Sequence, residues 1–215
     1  QSLAAGIAAL SPAAWFRFNM GITSSAGFVS QWNDQSGNGR HAKQATGTNQ
    51  PTLEADGSIT FDGVDNFLKC DAFTFNQPET IYLLVKQVTW TDVRYFFDGN
   101  TIDTAAVYQN SVSPQLALFA GSGAGQNANL PVNTYAALCV VINGASSVSQ
   151  VNATTAVTGN AGASNAAGFT LGASGGNNAW SNIQVKEVIL YAAAHDATQR
   201  ARVINYLSAI GNLGL

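Results

Sequence analysis

IQVKEVILY, residues 183–191, sets Ile183, Val185 and the Val188–Leu190 run among Gln184, Lys186 and Glu187. Apolar and polar residues alternate with the period of two that lets an extended chain bury one face and wet the other. The stretch therefore predicts a strand with one covered face. Similar runs, rich in β-branched and aromatic residues and punctuated by Gly, Asn, Ser and Pro, recur along the chain. They are AWFRF (14–18), FVSQW (28–32), SITF (58–61), NFLKC (66–70), ETIYLLVKQV (79–88), RYFFDG (94–99), AAVYQ (105–109), QLALFA (115–120), TYAALCVVING (134–144), SVSQVNATTAV (147–157) and GFTLGA (168–173). The predicted class is all-β, with two packed sheets.

Within this set TYAALCVVI is apolar almost throughout and reads as a central strand covered on both faces. Asn143-Gly144 after it predicts a tight hairpin, because this pair readily takes positive φ at both central turn positions. The expected core comprises Trp15, Phe16, Phe18, Trp32, Phe61, Phe67, Leu83, Val85, Leu138, Val140 and Ile189. One helix is expected, over 196–210. Asp196 and Gln199 form a capping box, Val203, Ile204, Leu207 and Ile210 repeat at helical spacing, and Gly211 is placed to end it.

A chain of 215 residues can bury one sizeable core, so residues 1–215 are read as one domain with 1–12 as an N-terminal arm. Only 10% of residues are charged, against roughly 25% in an average soluble protein. The net charge of −3 and the nine scattered Lys and Arg residues leave no basic patch for nucleic acid. No run approaches the roughly 20 apolar residues of a membrane span, so membrane insertion is not expected. Cys70 and Cys139 lie in apolar runs without metal-ligand spacing, which leaves both buried thiols and a bridge open.

WNDQSGNGRHAKQ (32–44) carries the most distinctive spelling. W-x-D-x-S-G-N-G-x-x-A falls on Trp32, Asp34, Ser36, Gly37, Asn38, Gly39 and Ala42. After Pro51 comes SITFDGVDNFL (58–68), with F-x-G-x-x-x-x-L on Phe61, Gly63 and Leu68. A D-A-x-x-R…Y-L helix ends the series at Asp196, Ala197, Arg200 or Arg202, Tyr206 and Leu207. In this order the motifs resemble the laminin-G-like members of the concanavalin A-like lectin and glucanase superfamily, over roughly residues 13–210. The resemblance implies an antiparallel jelly-roll β-sandwich with one C-terminal α-helix and a concave face where relatives bind or cut sugars. It also implies the setting of secreted bacterial proteins and bacteriophage tail fibres. An extracellular or virion-surface location and a homo-oligomer, a trimer if the chain forms a fibre, follow from it as expectations.

The loop itself reads first as a turn, with Asp34 accepting from following amides while Gly37 and Gly39 take positive φ. A phosphate cradle would need a helix directly after it, which HAKQATG does not form. No cofactor is expected unless calcium binds, for which the oxygen donors are Asp34, Asp62, Asp65 and Asn66. His41 and His195 lack a third ligand in sequence reach, and Ser36 is not in a nucleophile elbow.

Sugar hydrolysis needs two carboxyl groups across the scissile bond. The E-x-D-x-x-E and Q-x-H patterns of the superfamily's enzymes are missing, and Glu54, Glu79 and Glu187 read as isolated by strand parity. The expectation is therefore not an enzyme but a noncatalytic carbohydrate-recognition or adhesion domain whose partner is a cell-surface or extracellular glycan. A structural or oligomerisation module and a polysaccharide-degrading enzyme are the alternatives. The sugar-binding side chains expected are Trp180, Asn177 and Asn178 of SGGNNAWSN, then Trp90 and Tyr108, since indole and phenol rings stack on sugar faces while amides hold hydroxyls.

Overall fold

The computed structural model describes residues 2–111, 114–124 and 127–215. A short helix α1 (Leu3–Ala8) precedes β1 (Ala14–Phe16), β2 (Ile22–Ser25), β3 (Phe28–Trp32), β4 (Ala42–Lys43), β5 (Thr52–Leu53), β6 (Ile59–Asp62) and β7 (Leu68–Cys70). Then follow β8 (Glu79–Gln87), β9 (Tyr95–Asp98), β10 (Ala106–Gln109), β11 (Leu116–Phe119) and β12 (Tyr135–Ile142). The chain closes with β13 (Ser147–Val151), β14 (Val157–Gly159), β15 (Thr170–Leu171), β16 (Asn182–Tyr191) and α2 (Ala197–Gly211). The strands form one hydrogen-bonded path, β11-β10-β9-β15-β7-β4-β3-β5-β6-β16-β8-β12-β13-β14, with β1 on β16 and β2 on β3. The all-β reading holds, and the path folds over so that both halves face one core.

Alternation explains the layers. Ile81, Leu83 and Val85 of β8 and Leu138 and Val140 of β12 point inward, against Trp32, Leu68, Phe97, Val107, Leu118 and Leu171 of the other half. Their neighbours Tyr82, Leu84, Ala137 and Cys139 point outward, beneath Ile7 of α1 and Val203, Ile204, Tyr206 and Leu207 of α2. Both faces of β8 and β12 are thus covered, which is why these strands are apolar throughout. Cys70 lies in the inner core and Cys139 under the helices, and both are free thiols.

Several expectations change. Phe18 and Phe67 are only half-buried, and Leu68 takes the inward place next to Phe67. No two-residue hairpin forms at Asn143-Gly144. Asn143 has φ −155° and a 3-10 turn, Gly144–Ser146, carries the chain into β13. The strands β2, β4 and β5 are new, being too short or too polar to show a period. The N-terminal arm is a helix that buries Ile7. The capping box of α2 is present, Gln199 N donating to Asp196 Oδ1 (2.8 Å) and Asp196 N to Gln199 Oε1 (2.9 Å). Gly211 is the last helical residue, and Asn212 takes the left-handed cap position.

The IQVKEVILY strand is not one-faced. Register against β8 shifts between Val185 and Glu187. Ile183 and Val185 face the inner core before this bulge; Val188 and Leu190 face it afterwards, and Ile189 and Tyr191 lie under the helices. The bulge also turns Glu187 to the helix side. There its carboxylate accepts from Trp15 Nε1, the Phe18 amide and Tyr206 Oη, each at 2.6 Å. Burial pushes this carboxyl up, and the three donors oppose the shift.

Glu79, at the start of β8, is buried, and neither oxygen has a hydrogen-bond partner among the described residues. Burial alone pushes its carboxyl from the usual 4.5 up to about 8.

Two stability outcomes follow from these carboxyls. Tyr206→Phe removes a donor from a buried carboxylate and should lower stability in urea unfolding by about 1–3 kcal/mol; an unchanged midpoint would show that α2 docks without this bond. For Glu79 the folded state keeps a proton that the unfolded chain releases. The contribution is complete below pH 4.5 and is lost as pH rises toward about 8. Glu79→Gln should therefore match the wild type at pH 4 and exceed it in melting temperature at pH 8. Parallel curves at both pH values would mean that Glu79 ionises freely in the fold.

Candidate functional site

The Asp34 loop is a structural turn. Asp34 Oδ1 accepts from the amides of Trp15 (2.9 Å) and Ser36 (2.8 Å), and Oδ2 from Ser36 Oγ (2.8 Å) and the Arg40 amide (3.1 Å). Gly37 and Gly39 have φ of 91° and 71°. Asn38 Nδ2 and Arg40 Nη1 both donate to the Ala13 carbonyl, stapling the loop to the strand edge. The other calcium nominees close a separate turn. Asp62 Oδ1 accepts from the Val64 amide, Asn66 Oδ1 from the Asp62 amide, and Asn66 Nδ2 donates to Asp65 Oδ1. Asp34 does not join Asp62, Asp65 and Asn66 in one donor set, and among the described residues no three acidic, His or Cys side chains converge.

The two histidines serve packing. His41 Nδ1 accepts from the Asp34 amide (3.1 Å). His195 lies against Tyr82 and Tyr191, with Nδ1 2.8 Å from Tyr82 Oη, and burial lowers its pKa to about 4.

A groove lies on the outer face of the sheet, past the end of α2. Register places Thr60, Gln184, Lys86 and Tyr135 in one row across β6, β16, β8 and β12. Tyr135 is its centre. Lys186 Nζ sits 4.4 Å and Lys86 Nζ 5.4 Å from the ring centroid, and Tyr135 Oη is 3.4 Å from Gln184 Oε1. On one side Tyr135 and Lys86 line a cavity of about 490 Å³ with Asn133, Thr134, Asn152 and Gly211 to Leu213. On the other, Gln184 lines a cavity of about 250 Å³ with Glu54, Ala55, Asp56 and Ser58. Phe18 borders the groove, 5.1 Å from Lys186 Nζ, which accounts for its partial exposure.

Glu54 is therefore not isolated from another acid. A turn closed by Gly57 N donating to Glu54 O carries Glu54 and Asp56 to the same cavity. Glu54 Oε1 accepts from Thr60 Oγ1 (2.6 Å). Asp56 is held below the usual carboxylate range by the Ser58 hydroxyl, with the Ser58 amide and Lys186 Nζ (3.3 Å) adding to it. Burial pushes the Tyr135 phenol up. Lys86 has no carboxylate within 4 Å among the described residues. None of these residues was anticipated as a site. The E-x-D spacing at 54–56 followed by Gly57 was the available signal, but strand parity does not apply across a turn.

The expected sugar-binding residues gather elsewhere, at one end of the sandwich. Trp180 bridges to Tyr95, whose ring stacks on Tyr108 at 5.4 Å. The Thr91 amide, next to Trp90, donates to Gln109 Oε1 (2.8 Å). Trp180, Trp90 and Tyr108 are half-buried, while Asn177 and Asn178 are exposed on a turn closed by Asn177 N donating to Ser174 O.

No family model and no curated protein matches the chain. Solved structures do. Trypanosoma rangeli sialidase in complex with sialic acid matches with a TM-score of 0.67 and 13% identity, over 93% of this chain and 33% of the sialidase. A GH54 α-L-arabinofuranosidase soaked with a cyclic sulfate inhibitor matches with a TM-score of 0.68 and 14% identity, over 86% of this chain and 51% of that protein. The chain thus spans about a third to a half of the length of these neighbours. The likeness shows a shared β-sandwich fold. It also corrects the functional expectation: the matched structures are a sialidase and an arabinofuranosidase, so the noncatalytic adhesion reading and the expectation of no enzyme are withdrawn.

Proposed function

We propose that this sandwich belongs to a glycan-degrading enzyme and that its glycan lies in the groove along Thr60, Gln184, Lys86 and Tyr135. The observation that carries the reading is the pair of carboxyls, Glu54 and Asp56, lining one cavity beside Gln184 and the Tyr135 row. Because this chain covers only 33% and 51% of the matched glycosidases, the activity is proposed for the protein that carries the sandwich. The jelly-roll topology, the concanavalin A-like kinship and an extracellular setting form part of the same proposal.

Hydrolysis of a glycosidic bond requires one carboxyl to protonate the leaving oxygen while a carboxylate takes a proton from water or attacks the sugar carbon. Asp56, held below the usual carboxylate range by Ser58 and Lys186, suits the base, and Glu54, lining the same cavity, is assigned the acid's part. The sugar C–O bond breaks, the leaving oxygen takes a proton from the acid, the water oxygen bonds to the sugar carbon, and the proton that water loses passes to Asp56. Tyr135 offers a ring face for stacking, and Gln184 an amide for hydroxyls. Lys86, free of a carboxylate partner, favours a sugar bearing an acidic substituent.

The test is reducing-sugar release from neutral and uronate-containing polysaccharides by the wild type, Glu54→Gln and Asp56→Asn. Either substitution should lower turnover by about 100-fold or more at unchanged melting temperature. No release from any polysaccharide, or full activity in both variants, would overturn the assignment.

A further inference from the structure

We propose, resting on the reading of the groove as a glycan site, that its row continues two strands further to a distal aromatic subsite at Phe28. The ligand is then a polysaccharide chain laid across the sheet and cut internally, not a single terminal sugar. Thr60 pairs with Thr52 of β5, and Thr52 with Phe28 of β3. Residues paired across neighbouring strands share one face of the sheet. The row thus runs Phe28, Thr52, Thr60, Gln184, Lys86 and Tyr135 over six neighbouring strands.

The neighbours of these residues fix the face. Val29, Leu53, Ile59 and Phe61 pack on the inner core, so Phe28, Thr52 and Thr60 point outward with the groove. The Val29 amide donates to the Pro51 carbonyl (2.8 Å) and the Leu53 amide to the Gly27 carbonyl (2.7 Å), which clamps Phe28 directly opposite Thr52. Phe28 is 48% exposed, and among the described residues no other aromatic side chain is exposed. A lone exposed ring needs no explanation by itself. This one faces a space of its own, a cavity of about 700 Å³ lined by Ser25, Ala26, Phe28, Gly47, Thr48 and Gln50. The turn at Ala26-Gly27, with φ of 50° and 85°, forms one wall. The 3-10 turn Gly47–Asn49 forms the other, next to Gln50, whose Nε2 donates to the Gln44 carbonyl (2.9 Å).

Five strand spacings separate Phe28 from Tyr135, about 24 Å along the sheet. A monosaccharide is too short to touch both rings, whereas a chain of several units reaches from one to the other and can stack at each end. Between the rings the row offers the hydroxyls of Thr52 and Thr60, the amide of Gln184 and the ammonium of Lys86, groups that suit the hydroxyls and acidic substituents of successive units. Glu54 and Asp56 rise from the turn that joins β5 to β6, the second and third strands of the row. A chain lying along the row therefore has units on both sides of these carboxyls, toward Phe28 on one and toward Tyr135 on the other. The bond hydrolysed, with the hydroxyl of water going to one new end and its proton to the other, is an internal one.

Binding is read by calorimetric titration of the intact chain carrying Glu54→Gln, which leaves glycans uncut, with the disaccharides and hexasaccharides of cellulose, arabinan and polygalacturonate. At least one hexasaccharide should bind about tenfold or more tightly than its disaccharide. Adding Phe28→Ala should remove that gain while leaving the disaccharide affinity unchanged and, because the ring is half-exposed, the melting temperature too. Phe28→Tyr should restore the gain. Hexasaccharides that bind no better than disaccharides, or whose affinity survives Phe28→Ala, overturn the extended row. Reducing-sugar release by the wild type separates this failure from that of the groove reading. Release without a Phe28-dependent gain keeps the groove and loses the row; a Phe28-dependent gain without release from any polysaccharide keeps the row as a binding surface and loses the hydrolysis.

Discussion

The bulge in β16 that turns Glu187 beneath the C-terminal helix is the constraint on which the rest of the molecule depends. Without the extra residue Glu187 would follow Ile183 and Val185 onto the inner face, into an apolar core. With it, one carboxylate takes hydrogen bonds from the β1 indole, the amide after β1 and the α2 phenol. Strand, edge and helix are tied at a single point. A buried carboxylate is tolerable only when so paired. The position of α2, and hence of its C-terminal end beside the groove, follows from that pairing.

The same geometry divides the long central strands into two working faces. Where α1 and α2 cover the outer face it is apolar; beyond Gly211 the cover ends and the outward residues become Lys86, Lys186, Gln184 and Tyr135. The groove is thus the uncovered continuation of the helix-docking surface. On the inward face β8 is apolar only between its ends. The side chains of Glu79 at one end and Gln87 at the other are both buried without hydrogen-bond partners among the described residues, so polar groups mark where the sandwich interior stops being filled by hydrocarbon.

The distinctive loop at Asp34 has a different economy. Its carboxylate satisfies four donors within the loop and its neighbouring strand, so its spelling encodes a shape that holds the β1 edge. Sequence distinctiveness and chemical function part company here. The chemically suggestive carboxyls, Glu54 and Asp56, lie in an unremarkable turn.

Local features were legible in the sequence because their causes lie within a few residues. The capping box at Asp196 and Gln199, the Asp34 turn with Gly37 and Gly39, the doubly covered YAALCVVI strand and the all-β class are set by short-range hydrogen bonds and by period. Tertiary structure decided what depends on register. Thr60, Gln184, Lys86 and Tyr135 are separated by up to 124 residues in the chain and form one row only because four strands pair as they do. Trp90, Tyr108 and Trp180 were individually visible as sugar-stacking candidates, but their common location at one end needed the β9–β10 pairing and the bridge from Tyr95 to Trp180. The bulge at Glu187 decided which side of β16 meets which layer. A one-residue shift inverts every side chain after it, and in IQVKEVILY only the adjacent polar pair Lys186-Glu187 marks where the alternation changes phase.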